Sequence, residues 1–226
     1  MPGLVPLALF LMTLTFFVTG YFISATFYQK KHDVKYSFTR MFPYEFNYPS
    51  TFKGNIYGNI CFIIAMLSNI SFYIYNVSIS GNNSVTNIVM TVASVVMAAL
   101  ILCLFFLPLQ FLRMHMMIST VAMTLAMGLP ALACFSVYAG MKVAPNDQKW
   151  IYILAISVGA LLALTMLVFI FNPKATYKIY LDKSVDKDGN EVMMRPKFIP
   201  IAFNEWWAIF TYVLSTLPLL IINFIK

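Results

Sequence analysis

Charged residues are scarce in this chain of 226 residues, and their scarcity decides the class of protein. Only 10% of the residues are Asp, Glu, Lys or Arg, whereas 61% are hydrophobic. A soluble globular domain carries roughly 25% charged residues and about half apolar ones. The composition therefore excludes an ordinary soluble domain and indicates a chain that is solvated by lipid.

The sequence has no Asp, Glu, Lys or Arg inside any of its six long apolar runs. Each run is about 20 residues long, which is the length that a helix needs to cross a bilayer. We place the runs at residues 4–28, 56–78, 88–107, 116–138, 150–171 and 206–225. Backbone amides cannot remain unpaired in hydrocarbon, so these runs must be helices rather than open strands. The sequence thus predicts an all-α integral membrane protein, a six-helix transmembrane bundle that forms a single domain over residues 1–226.

The absence of charge within the runs argues against several functions. Acid–base catalysis inside a membrane, proton relays and ion-coupled carriers normally need an ionisable group held within the bundle. The three cysteines fall one each in runs two, three and four, without the spacing of a redox or zinc site. The Met-rich stretch around His115 offers copper no closed ligand set, and the residues around Gly189 do not match a calcium loop. We expect no metal, no cofactor and no catalytic residue, although unwound backbone carbonyls could still coordinate sodium.

The positive charges lie asymmetrically along the chain. Twelve of the fifteen Lys and Arg residues fall in the connections after the first, third and fifth runs. Cytoplasmic loops carry an excess of Lys and Arg, so we predict that residues 29–55 and 172–205 are cytoplasmic and that both termini lie outside. Three tryptophans at the ends of runs are expected in the headgroup layer, namely Trp150, Trp206 and Trp207. The net charge of +7 is then explained by basic connections that lie against anionic membrane lipids, and no nucleic-acid partner is expected.

The first basic connection contains an aromatic stretch at residues 37–55, in which Pro43 and Pro49 forbid one continuous helix. Its alternating rings favour a membrane-surface segment, in which Glu45 pairs with Arg40 or with solvent. The alternative is a cytoplasmic-facing pocket for an anionic headgroup or a phosphate-bearing substrate. The candidate contact residues of that pocket are Lys30, Lys31, Lys35, Arg40, Glu45, Lys53 and Arg113.

The longest connection, residues 172–205, is the only part expected to fold outside the bilayer. Apolar and charged residues alternate imperfectly on each side of Asp188, Gly189 and Asn190, which predicts a small cytoplasmic β-hairpin between helices 5 and 6. A single hairpin is marginally stable in water. We therefore expect it to dock on the membrane, on residues 37–55 or on a protein partner.

Small residues and prolines predict how the helices pack. A stripe at a spacing of four residues in run five, Ala155, Gly159 and Ala163, allows a neighbouring helix to approach closely. Kinks are expected in runs four and six, because each proline removes one hydrogen bond of the helix. The residues that cause them are Gly128, Pro130 and Pro218.

Two functions from different classes are compatible with these features. The first is a non-enzymatic subunit, or an assembly, immunity or regulatory partner, of a membrane system that docks through its cytoplasmic connections. The second is a small permease or lipid-handling protein, with runs four and six as a gate and Arg40, Glu45 and Arg113 at its mouth. A membrane enzyme that acts on lipid headgroups comes third. The sequence favours the first, because it requires no residue type that the runs lack.

Overall fold

A computed structural model gives the structure of the chain. It describes residues 3–47, 54–80, 85–107, 109–172, 182–185 and 191–224, without the side chains of residues 79, 80, 109, 112, 182–185 and 191–194. Six helices are long and apolar enough to cross a membrane. The prediction of a multi-pass helical membrane protein with six spans is confirmed.

The helix bounds differ from the predicted runs mainly at their ends. The spanning helices are α1 (Leu4–His32), α2 (Ile56–Ser80), α3 (Val85–Phe106), α4 (Leu112–Met141), α5 (Lys149–Ile170) and a sixth span divided into α6 (Pro200–Leu214) and α7 (Leu217–Asn223). Short 3-10 helices cover Pro43–Asn47, Leu109–Phe111 and Asn146–Gln148. Helical hydrogen bonding continues past the apolar runs, so α1, α4 and α6 carry ionisable residues at the end where the basic connections lie.

The sixth span lies at the centre of the bundle. Of its most apolar window, 72% is buried, compared with 22–39% for the other five spans. Its two helices pack on α1, α3, α4 and α5, and Asn69 of α2 donates a hydrogen bond to the Tyr212 carbonyl of α6. The last span is therefore largely shielded by the other five.

The central span is interrupted at Ser215 and Thr216, just before Pro218 in the first turn of α7. The proline has no N–H to donate, so the helix cannot keep its full ladder of hydrogen bonds. Buried polar side chains collect around this break, namely Asn69, Tyr73, Ser94, Thr211 and Tyr212. For example, the Tyr73 hydroxyl lies 2.7 Å from Ser215 Oγ, and the Tyr212 hydroxyl lies 3.0 Å from Ser94 Oγ. These hydrogen bonds compensate polar groups that hydrocarbon would leave unpaired.

Helices α4 and α5 approach each other closely at Gly159. A Cβ atom built on this glycine would lie 2.5 Å from Cys134 Sγ and 3.1 Å from the Pro130 carbonyl oxygen. In the same stripe, Ala155 is fully buried and Ala163 is half-buried. The absence of a side chain at Gly159 therefore lets α5 rest on the backbone of α4.

Helix α4 runs without interruption through Gly128 and Pro130. A Cβ atom built on Gly128 meets no atom within 4 Å, so this glycine makes no close approach. The kinks proposed at Gly128, Pro130 and Pro218 stay predictions, although the break in the sixth span directly precedes the third of these residues.

Residues 36–47, which we call the aromatic plug, are inserted into the basic end of the bundle. Tyr36, Phe42 and Phe46 are each at most 5% exposed. The ring of Phe46 lies 6.2 Å from that of Phe62 and 5.5 Å from that of Trp206. The predicted membrane-surface arrangement is therefore wrong for this part of residues 37–55, because the rings find aromatic partners in the bundle that acyl chains do not offer. Residues 48–53 lie outside the described residues.

Two short strands follow α5 in the long connection. β1 (Asp182–Val185) pairs antiparallel with β2 (Glu191–Met194), and the register places Asp182 opposite Met194. The turn proposed at residues 188–190 lies outside the described residues. The hairpin therefore stays a prediction.

Candidate functional site

The central span fixes the position of the aromatic plug. Trp206 Nε1 donates to the Met41 carbonyl over 3.0 Å and to the Tyr36 hydroxyl over 3.1 Å. Tyr36 in turn donates to the Phe42 carbonyl over 2.8 Å. Trp206, predicted to lie in the headgroup layer, is instead fully buried, because its indole N–H finds two acceptors inside the protein.

Glu45, the only acidic residue of the plug, forms a bidentate ion pair with Arg195. Arg195 Nη1 lies 2.8 Å from Glu45 Oε2, and Nη2 lies 2.9 Å from Oε1. Glu45 Oε1 also accepts the backbone N–H of Phe42 over 2.7 Å. The fork of the guanidinium matches both carboxylate oxygens, which is the strongest geometry for such a pair. Arg195 thereby fastens the long connection to the plug.

The electrostatics of the pair influence its surroundings. Burial by itself would lower the pKa of Arg195, but the hydrogen bonds and the charge of Glu45 outweigh it and raise that pKa above its ordinary value. Burial, and then the nearby charge of Glu45, raise the pKa of the Tyr36 hydroxyl well above its usual range. The guanidinium therefore stays charged, and the Tyr36 hydroxyl stays a neutral hydrogen-bond donor.

A cavity of about 220 Å³ lies beside the ion pair, and its lining is Tyr28, His32, Tyr44, Glu45 and Arg195. The rings of Tyr28 and His32 are one helical turn apart on α1, with their centres separated by 4.5 Å. His32 Nε2 is buried and has no hydrogen-bond partner among the described residues. A carboxylate, a guanidinium, an imidazole and two phenol rings therefore face one small space.

Of the six predicted contact residues that the structure describes, only Glu45 belongs to this lining. Lys30, Lys31 and Lys35 are exposed around the end of α1. Arg113 is also exposed, beside a separate open depression formed with Gln110, Phe111 and Met114. Lys53 lies outside the described residues.

The expected pairing of Glu45 with Arg40 is wrong, because Arg195 occupies both carboxylate oxygens. The Nε atom of Arg40 is buried and has no hydrogen-bond partner among the described residues. Arg40 therefore neither forms the predicted pair nor belongs to the described lining of the cavity.

A second acid–base pair lies deeper in the bundle, between α4 and α6. His115 Nε2 is 2.8 Å from Glu205 Oε1, and both side chains are at most 1% exposed. The rings of Phe42 and Tyr44 stand edge-on to the imidazole at 6.0 and 5.8 Å. The aromatic plug thus lies between this pair and the pair of Glu45 and Arg195.

The hydrogen bonds of His115 restrict where its protons lie. His115 Nδ1 is 2.8 Å from the Leu107 carbonyl oxygen, which can only accept, so Nδ1 carries a proton. The contact between Nε2 and Glu205 then holds one proton, either on the imidazole or on the carboxyl group. Ser119 also faces this carboxyl group, although neither Ser119 Oγ nor Glu205 Oε2 has a well-aligned hydrogen-bond partner among the described residues. The pair is uncharged overall in either form.

This pair corrects the expectation that no ionisable group lies inside the bundle. Glu205 and His115 each lie directly beside an apolar run, at the residues before Trp206 and Met116. Helices α6 and α4 extend over them, and packing then buries both side chains completely. Buried ionisable groups in membrane helices are functional candidates, because they are costly to maintain.

A smaller cavity of about 70 Å³ lies at the opposite end of the bundle. Amide and hydroxyl side chains from five helices reach it, namely Asn76, Asn87, Ser136, Tyr152 and Asn223. Within the part of the chain that the structure describes, no group of three His, Cys, Asp or Glu residues could hold a metal ion. The basic end therefore carries the stronger candidate site.

Comparison with protein-family models, with curated proteins and with solved structures finds no match for this chain. The interpretation of the basic end therefore rests on its own chemistry.

Proposed function

We propose that this protein is a small permease or lipid-handling protein that binds a phosphate-bearing ligand at the basic end of its bundle. The observation that carries the proposal is the cavity beside Glu45 and Arg195, whose lining combines a guanidinium and an imidazole with two tyrosine rings. Ligand cavities of this kind place a few polar groups against apolar walls. Arginine is the side chain best suited to hold phosphate.

The buried pair between His115 and Glu205 supports the same proposal. The argument from the sequence against a carrier depended on the absence of a buried carboxylate or histidine. Both residue types lie under the plug, and the ring of Tyr44, which lines the cavity, stands 5.8 Å from the imidazole of His115. A ligand that rearranges the pair of Glu45 and Arg195 would therefore also change the surroundings of the pair of His115 and Glu205.

The direction of the site follows from the charge asymmetry of the sequence. We propose that the basic end is cytoplasmic, so that the cavity opens toward the anionic inner leaflet and both termini lie outside. The exposed Lys30, Lys31 and Lys35 would then attract anionic lipids and phosphate-bearing solutes to its entrance. The break at Ser215 and Thr216 is the position at which the central span could bend as a gate.

The test is native mass spectrometry of the protein purified in a mild detergent. We expect one phosphate-bearing molecule to remain bound to each chain, and to be lost in Arg195→Lys, which keeps the charge but removes the two-pronged contact. The matched control is Lys197→Ala, because Lys197 is exposed and only two residues away. A wild-type chain that retains no phosphate-bearing molecule would contradict the proposal.

A second candidate function, a non-enzymatic membrane subunit, is favoured by the two paired strands. They contact mainly each other rather than a helix of the bundle, and an isolated pair of strands is marginal in water. We propose residues 172–205 as its contact with a protein partner. A protein that co-purifies at fixed stoichiometry, and is lost when residues 182–194 are replaced by a flexible linker, would support this function.

A further inference from the structure

We infer that the ligand of the basic-end cavity is a zwitterion that carries both a phosphate and an ammonium group. This inference rests on the proposed function, and it names the class of ligand. Its basis is that the lining of the cavity presents the negative charge of Glu45 beside the positive charge of Arg195, and that these two side chains form an ion pair.

A simple anion does not suit such a lining. Arg195 uses two of its N–H groups for Glu45, so an anion that binds Arg195 must also approach the carboxylate. If the anion displaced Glu45, a carboxylate that is 9% exposed would remain without its cation. An unpaired charge at such a position is costly. A zwitterion avoids this cost, because each end of the ligand replaces one partner of the pair.

The ammonium end has an evident place against Glu45 and the two tyrosines. Tyr28 and Tyr44 line the cavity, and Tyr28 also contacts the Glu45 carboxylate. Ammonium groups are held by aromatic faces, and this attraction increases when they are desolvated. A carboxylate beside those rings supplies the opposite charge.

The phosphate end can take its hydrogen bonds from Arg195 and His32, which line the same cavity. Arg195 retains N–H groups that do not point at Glu45. His32 lines the cavity, and its Nε2 atom is buried without a hydrogen-bond partner among the described residues. These nitrogen atoms give a phosphate several donors, and hydrogen bonds to a charged oxygen are shorter and stronger than neutral ones.

The size and depth of the cavity agree with a small headgroup. Cavities for drug-sized ligands measure about 300–1,000 Å³, whereas this one measures about 220 Å³. It lies at the C-terminal end of α1, where Tyr28 is the last residue of the first apolar run and His32 is the last residue of the helix. The shared chemistry is a phosphate joined to an amine, and it can come from the headgroup of a phospholipid or from a soluble phosphate ester of an amino alcohol.

The experiment measures binding to the purified full chain in detergent by isothermal titration calorimetry. The soluble probes are phosphoethanolamine, inorganic phosphate and ethanolamine, and the lipid arm compares nanodiscs of phosphatidylethanolamine with nanodiscs of phosphatidylglycerol by native mass spectrometry. We expect phosphoethanolamine to bind at least tenfold more tightly than inorganic phosphate or ethanolamine, or phosphatidylethanolamine to be retained in preference to phosphatidylglycerol. The first result identifies a soluble source and the second a lipid source, and either one supports the inference.

Two other results separate the ways of failing. Equal affinity for inorganic phosphate and phosphoethanolamine, together with equal retention of the two lipids, would overturn the zwitterion and leave the proposed function intact. An absence of binding in every arm would overturn both.

Variants connect the preference to the cavity. Glu45→Gln should reduce the preference for phosphoethanolamine over inorganic phosphate to about threefold or less, because the amide no longer attracts an ammonium group. His32→Gln leaves both members of the ion pair in place, so it should weaken the binding of phosphoethanolamine and of inorganic phosphate alike. Lys197→Ala is the control that should change neither. A preference that survives in Glu45→Gln would overturn the assignment of this carboxylate to the ammonium group.

Discussion

The buried pair of His115 and Glu205 gives the sharpest test of the packing at the basic end. Both side chains are at most 1% exposed and are joined over 2.8 Å, so neither can turn to water when its partner is removed. His115→Leu leaves a carboxyl group buried without its partner, and removing one member of a buried pair costs about 3–5 kcal/mol. Glu205→Leu leaves only one imidazole nitrogen unpaired, so a smaller loss of about 1–3 kcal/mol is expected.

The amide variant distinguishes lost hydrogen bonding from lost packing. In Glu205→Gln the amide N–H can donate to Nε2 of a neutral His115. The Nδ1–H group of His115 still donates to the Leu107 carbonyl oxygen. We therefore expect a loss of at most about 1 kcal/mol. In the double variant with Leu at both positions, the destabilisation should fall short of the sum of the single ones by about 1–3 kcal/mol, because the two residues interact directly.

The assay is reversible unfolding in mixed micelles of a mild detergent and sodium dodecyl sulfate, followed by tryptophan fluorescence. It yields the free energy of unfolding for the wild type, the three single variants and the double variant. Strictly additive losses for the two Leu substitutions would show that the two side chains do not touch. A Glu205→Gln variant as unstable as His115→Leu would show that the loss does not come from the hydrogen bond that we describe.

Two further predictions concern helix packing and orientation. Gly159→Ala should lower the free energy of unfolding by about 1–3 kcal/mol, because the added methyl group overpacks the contact between α4 and α5. Gly128→Ala should raise the free energy of unfolding by about 0.5–1 kcal/mol, because its added methyl group meets no atom within 4 Å. Equal effects at both positions would contradict the close approach at Gly159. In a background without the native cysteines, a membrane-impermeant maleimide should label Lys142→Cys in intact cells and Lys31→Cys only after permeabilisation, and the reverse pattern would invert the proposed topology.

The position of Trp206 shows where prediction from the sequence failed. A tryptophan at the start of an apolar run has the composition of a headgroup anchor, and nothing local distinguishes it from Trp150, which is indeed 63% exposed. Trp206 is buried because the aromatic plug places acceptors from Tyr36 and Met41 over its indole N–H. Those partners are about 165 residues away in the sequence. Whether Trp206 is buried or lies in the headgroup layer therefore depends on how the bundle assembles.

The candidate site illustrates the same limit. The sequence analysis named Glu45 as a carboxylate among aromatic rings, but it assigned the wrong partner, because Arg40 is near in sequence whereas Arg195 is 150 residues away. Glu205 could have been suspected from its position directly beside the sixth run. A helix that begins at Pro200 was the missing fact, since it carries the carboxylate into the bundle.

The six helical spans follow from the amino-acid sequence alone, because the length and apolarity of each run are local properties on which insertion into a bilayer depends directly. Three features became visible only in the folded chain, namely the central position of the sixth span, the entry of the aromatic plug into the bundle, and the pairing of Glu45 with Arg195 and of Glu205 with His115. Hydrocarbon solvates every apolar run alike, so it does not select the neighbours of a helix. The choice of neighbours then depends on packing and hydrogen bonds between segments that are distant in the chain.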